Sequence, residues 1–186
     1  MNSILQNRPG LSMVEMIVVV VIIGILVASS FFVLGRMGQH LRVSGSAAEL
    51  KQDCTLARQL SLEKNKPHLV RCFPDSTPQC WDIAVVESIG VFVRVVGSRE
   101  TIPPSIRFGV QDDLSGGASV ILGPDGKMIP TDGVSFPANV VAFLPRQGVP
   151  QTGTVYFTDG RNTRAVMVSA IGSAVVMQYV GNGNWQ

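Results

Sequence analysis

The sequence predicts an α+β protein: a long N-terminal helix, its first half transmembrane, packed on an antiparallel β-sheet domain. Three observations predict it. Residues 16–34 carry no charged side chain. Beyond them, apolar residues recur at three- and four-residue steps as far as Leu60. From His68 onward, short β-rich runs alternate with Gly, Pro, Asp and Asn.

The chain opens with a polar leader, 1–10, that contains Arg8 and ends in Gly10, followed by Leu11-Ser12-Met13-Val14-Glu15 and then the uncharged run. That run approaches the roughly 20 residues needed to cross a hydrocarbon core at about 1.5 Å per residue. Its β-branched stretch, Ile17 to Ile23, would favour a strand in water. In lipid the backbone has no water to bond and satisfies itself as a helix. Glu15 needs an explanation, because a carboxylate at the edge of a bilayer costs up to a few kcal/mol unless it is paired or lies near the headgroups. A cut between Gly10 and Leu11 would supply a partner, a free α-amino group one helical turn from Glu15 or on a neighbouring subunit. A secretory signal is instead cut after its apolar stretch, here at Ala28-Ser29-Ser30, and that stretch exceeds the usual length. An ordinary signal anchor with one interfacial acid is the remaining alternative.

A glycine, an apolar residue and an acid at this spacing, directly before a spanning helix, resemble the prepilin signal of type IV pilins and type II secretion pseudopilins. The resemblance implies cleavage at Gly10, with Leu11 as the first residue of the mature chain and its N-methylation site, and Glu15 as the assembly acid. Leu11 departs from the commoner Phe or Met, a mild change at an apolar position. The implied partners are prepilin peptidase, other pilins or pseudopilins, an inner-membrane assembly platform and membrane lipid. The implied location is the inner membrane, single-pass, with the C-terminal domain in the periplasm and later in a filament. Flanking charges do not set this orientation, since Arg8 lies on one side and Arg36 and Arg42 on the other.

On this reading 1–10 is the leader, 11–35 the transmembrane half-helix, 36–66 an amphipathic half-helix and 67–186 the antiparallel β domain. In the second half-helix Val43, Ala47, Leu50, Cys54, Ala57 and Leu60 form the apolar stripe, and Asn65-Lys66-Pro67 ends it. Strands are expected at 68–73, 81–86, 91–96, 105–110, 118–122, 140–144, 153–157, 164–169 and 173–179. Asp159-Gly160 signals a hairpin, because a primed turn needs positive φ. The connections are too short for crossover helices, so the sheet is antiparallel.

Net charge is only +2 and charged residues make up 15% of the chain, which announces no polyanion partner. Three cysteines occur. Cys72 and Cys80 flank a loop with two prolines between apolar runs, and a disulfide across that hairpin is the natural expectation in an oxidising compartment. Cys54 with Cys72 remains an alternative. No cofactor is implied and no metal set is visible: the cysteines lack metal-ligand spacing and His40 and His68 stand apart. Asp112, Asp113 and Asp125 read as turn formers. His68 reads as a half-exposed structural residue and Trp81 as a core anchor. No nucleophile elbow or suggestive carboxylate pair occurs, so an enzyme is not expected.

The stretches Leu56-Ala57-Arg58, Glu63 to Pro67, His68 to Cys72 and Cys80-Trp81-Asp82, with Thr154 to Phe157 and Arg164 to Ser169 later, resemble the minor pilin and pseudopilin group called GspH/FimT. DNA-binding members carry Gly-Arg-x-Arg in the last hairpin. Here that position holds Gly172-Ser173-Ala174-Val175. Arg161 and Arg164, with Arg146, are the candidate contacts of an alternative function, a DNA-binding minor pilin for natural transformation. Two arginines neutralise few phosphates, so nucleic acid is the disfavoured partner.

Overall fold

The computed structural model describes residues 12–88, 90–95, 97, 99–111 and 122–186, and within the long helix it leaves undescribed the side chains at 30–37, 39 and 40. The chain divides into two compact units, Met1–Gly38 and Gln39–Gln186.

One helix, α1 (Met13–Lys64), runs through both. Gly35, Gly38 and Gly45, which made the sequence look interrupted, do not break it. Its first hydrogen bond, Met16 N–H to the Ser12 carbonyl at 3.2 Å, makes Ser12 the entry residue. At the other end Asn65 takes a left-handed φ of 49° just before Lys66-Pro67, the backbone cap that asparagine tolerates. In the second unit, Val43, Ala47, Leu50, Cys54 and Ala57 are all at most 1% exposed, so the stripe read from the sequence is the face the helix buries. Leu60 lies at the margin, half-buried.

Among the described residues ten strands follow: β1 (His68–Phe73), β2 (Cys80–Ser88), β3 (Val91–Arg94), β4 (Glu100–Thr101), β5 (Arg107–Phe108), β6 (Val140–Phe143), β7 (Gly153–Thr158), β8 (Thr163–Val168), β9 (Ala174–Gly181) and β10 (Asn184–Trp185). They form two antiparallel sheets, ordered β3-β2-β1-β6, with β4 also on β2, and β10-β9-β8-β7-β5. The expected run at 105–110 shrinks to two residues. Residues 118–121 lie outside the described residues, and Leu122 makes only an isolated bridge to Met128. β4 and β10 were not expected, because pairs this short carry no readable alternation. The α+β class with antiparallel sheets is thus as the sequence predicts.

The core lies between the helix stripe and both sheets. Trp81, fully buried, meets Phe157 edge-on at 5.7 Å and joins β2 to β7. Its indole N–H donates to the Asp53 carboxylate at 2.7 Å, which ties α1 to β2. Each buried Val, Leu or Phe contributes about 1.5–3 kcal/mol.

On the outer face of the first sheet, Arg71 and Asp82 lie directly opposite each other and pair through two hydrogen bonds of 2.8 and 2.7 Å. The same register bears on the expected Cys72–Cys80 pairing. Cys72 lies opposite Trp81, and Phe73 opposite Cys80. Side chains alternate faces along a strand, so Cys72 shares the inner face with Trp81 while Cys80 looks the other way with Phe73. All three cysteines are buried free thiols here.

Candidate functional site

The N-terminal end of α1 is the first candidate. Gly10 and Leu11 lie outside the described residues, so the scissile bond is not among the features the structure describes. Glu15 falls in the first turn, where the partial positive charge of the helix end favours an anion. Ser12 and Glu15 also have the spacing of a capping box, a signal that the sequence reading missed because it treated Glu15 only as an assembly acid.

Among the described residues of this unit the helix is apolar and exposed on every side: Met13, Val14, Ile17 to Ile23, Ile25, Leu26 and Val27 range from 47% to 81% exposed. A soluble surface helix shows one apolar stripe, whereas an all-round apolar helix needs lipid or other helices around it. Ser29 fits such a setting, because its hydroxyl donates back to the Leu26 carbonyl at 2.9 Å. Among the described residues no helix is long and apolar enough to cross a membrane. The apolar run has described side chains only as far as Ser29.

The arginines form the second candidate. Arg161 sits in the turn between β7 and β8, built by Asp159: its carboxylate accepts the amides of Arg161 and Asn162 at 2.9 and 2.7 Å and the Asn162 side chain at 3.0 Å. Burial alone would raise the Asp159 pKa, but these hydrogen bonds outweigh it and hold the carboxyl below its ordinary value. Gly160, at φ 89°, supplies the conformation the turn needs. Arg161 is exposed and lines an open depression with Gln111, Gln178 and Tyr179. Arg164 is half-buried, in register with Phe157 and Gln178, and burial lowers its pKa. Arg146 lines another depression, with Arg58 and Ile171. Arg161 and Arg164 thus both neighbour Gln178, whereas Arg146 lines a separate depression.

Other candidates resolve as structure. His68 is fully buried rather than half-exposed, its Nδ1 at 2.9 Å from the Lys66 carbonyl. Trp81 is the core anchor expected. Asp125 Oδ1 accepts the Lys127 amide at 3.3 Å, an ordinary turn contact, while Asp112 and Asp113 lie outside the described residues. Among the described residues no cluster of three or more His, Cys, Asp or Glu side chains is placed to hold a metal ion.

A family model for the prokaryotic N-terminal methylation motif matches residues 5–31. The match covers Gly10, Leu11 and Glu15 and most of the uncovered apolar helix. The chain thus carries a type IV pilin-like signal, which supports the pilin and pseudopilin class and a structural rather than enzymatic protein. Such a signal implies processing by prepilin peptidase and assembly with other pilins. No curated protein and no solved structure matches the chain.

Proposed function

We propose that this chain is a minor pilin or pseudopilin of the GspH/FimT kind, a structural subunit of a type IV pilus or type II secretion pseudopilus. Prepilin peptidase removes residues 1–10 and Leu11 becomes the methylated N-terminus. Residues 11–35 then hold the protein in the inner membrane with its β domain in the periplasm, until the assembly platform draws it into a filament. There the exposed apolar side chains exchange lipid for the helices of neighbouring subunits, with van der Waals packing as the driving force. Glu15 pairs with the new α-amine of a neighbour. The carrying observation is that the methylation motif at 5–31 coincides with a helix whose described apolar side chains from Met13 to Val27 are 47% to 81% exposed.

Two variants of the full chain, expressed with an active prepilin peptidase and its filament system, test this reading. Gly10→Val is expected to accumulate uncut in the membrane. Glu15→Ala is expected to be cut and yet to be depleted at least tenfold from purified filaments. A Glu15→Ala chain that enters filaments as the parent does would remove the acid from the mechanism.

A further inference from the structure

The cysteines provide a feature that filament assembly does not use. Cys54, on the buried face of α1, and Cys72, on the inner face of β1, belong to the same core cluster and are 1% and 4% exposed. Their elements are pinned at this level: Asp53, the residue before Cys54, holds the indole of Trp81, and Trp81 lies directly opposite Cys72. Side chains opposite each other on one face of an antiparallel pair are about 5 Å apart at Cβ. The turn of helix that carries Cys54 is thus tied through Asp53 to Trp81, the cross-strand partner of Cys72. Cys80, on the other face of β2, is occupied differently, with Arg99 Nη2 at 3.1 Å from its sulfur and Ser76 Oγ at 3.5 Å.

We propose that Cys54 and Cys72 form a disulfide that staples α1 to the first sheet, and that Cys80 remains a thiol. The Cys72 thiol is held well above its ordinary value first by burial, then by the charge on Cys54, with smaller contributions from Asp82, Asp132 and Cys80. Burial likewise pushes the Cys54 thiol up to about 12. Few thiolates exist at these positions once the core has closed, so the bond forms during folding.

The oxidant is a disulfide of a small thiol or of a thiol oxidase. One cysteine, as thiolate, attacks it, forming a mixed disulfide and releasing one reduced thiol. The second cysteine, as thiolate, then displaces the other. Two protons and two electrons leave the protein and the oxidant's disulfide becomes two thiols. Bond formation in the cell rests on the proposed export to an oxidising compartment, whereas pairing during refolding in a tube does not.

The full chain, reduced, unfolded and refolded in detergent with oxidised glutathione, is blocked with iodoacetamide and mapped by non-reducing peptide mass spectrometry. The expected result is a Cys54–Cys72 cross-linked peptide with Cys80 alkylated, unchanged in Cys80→Ser. Adding a reductant should then lower the melting temperature by on the order of 10 °C. A dominant bridge that includes Cys80, or three alkylated cysteines, overturns the proposal. Pairing in the tube but three free thiols in the chain isolated from cells supports the pairing and overturns the export reading.

Discussion

At the scale of single residues, the outer face of the first sheet carries the Arg71–Asp82 ion pair. Asp82 has a side chain only 4% exposed, against 24% for Arg71. Arg71→Ala leaves that carboxylate buried without its cation, and the expected cost is about 3–5 kcal/mol, measurable by urea unfolding. Two other acids give opposite pH signatures. Asp53 has its pKa raised, first by burial, then less the Trp81 hydrogen bond, then by the Glu100 charge. Its raised folded-state value means that its contribution is full below the ordinary 3.8 and is lost as pH climbs through the raised value. Asp53→Asn, which keeps an acceptor for Trp81, should therefore gain on the parent as pH rises from 3.8 to neutrality. Asp159, held below its ordinary 3.8, contributes above that pH and loses its contribution as pH falls through the lower folded value. In Asp159→Ala the deficit against the parent should shrink as the solution is acidified. Thermal melts at several pH values check both signs.

At the scale of elements, the helix stripe and the hairpins were legible in the sequence because their periods are long enough to see. Val43 to Ala57 repeat over four turns, and 68–73 and 140–144 match β1 and β6 within a residue. What stayed hidden was register. Whether Cys72 faces Cys80 or Trp81 depends on a one-residue offset set by the loop between β1 and β2, and composition carries no record of that offset. The burial of His68 was hidden for a similar reason, since its neighbours come from β6 and β2 rather than from nearby sequence. Gly172 gives a test at this scale. It adopts φ 79° in the turn before β9, and a Cβ there would lie 3.1 Å from Arg58 Cδ. Gly172→Ala is expected to destabilise by about 1 kcal/mol or more through backbone strain. Leu50→Ala, beneath the helix, is expected to cost about 2–5 kcal/mol, and the same chemical melts rank the two.

At the scale of the whole molecule, the two units present opposite surfaces to their surroundings. The second buries an apolar core, whereas the first exposes valines and isoleucines on every side. One chain that contains both sets an apolar surface at one end against a domain with a buried core at the other, and an all-round apolar helix needs lipid or other helices around it. The sequence made this division readable through charge alone, by the absence of Lys, Arg, Asp and Glu from 16–34. The methylation-motif signal was readable through spacing, five residues from Gly10 to Glu15. The arginines told less, because a turn arginine and a phosphate contact look alike until the fold shows which of them share a surface. The central claim is that the leader is removed and the apolar helix retained. Intact-mass spectrometry of the chain, extracted from membranes of cells with active prepilin peptidase, tests it directly. The account predicts a species that begins at Leu11 and is one methyl group heavier than its sequence. An uncut chain, or a soluble one beginning near Ser30, would contradict it.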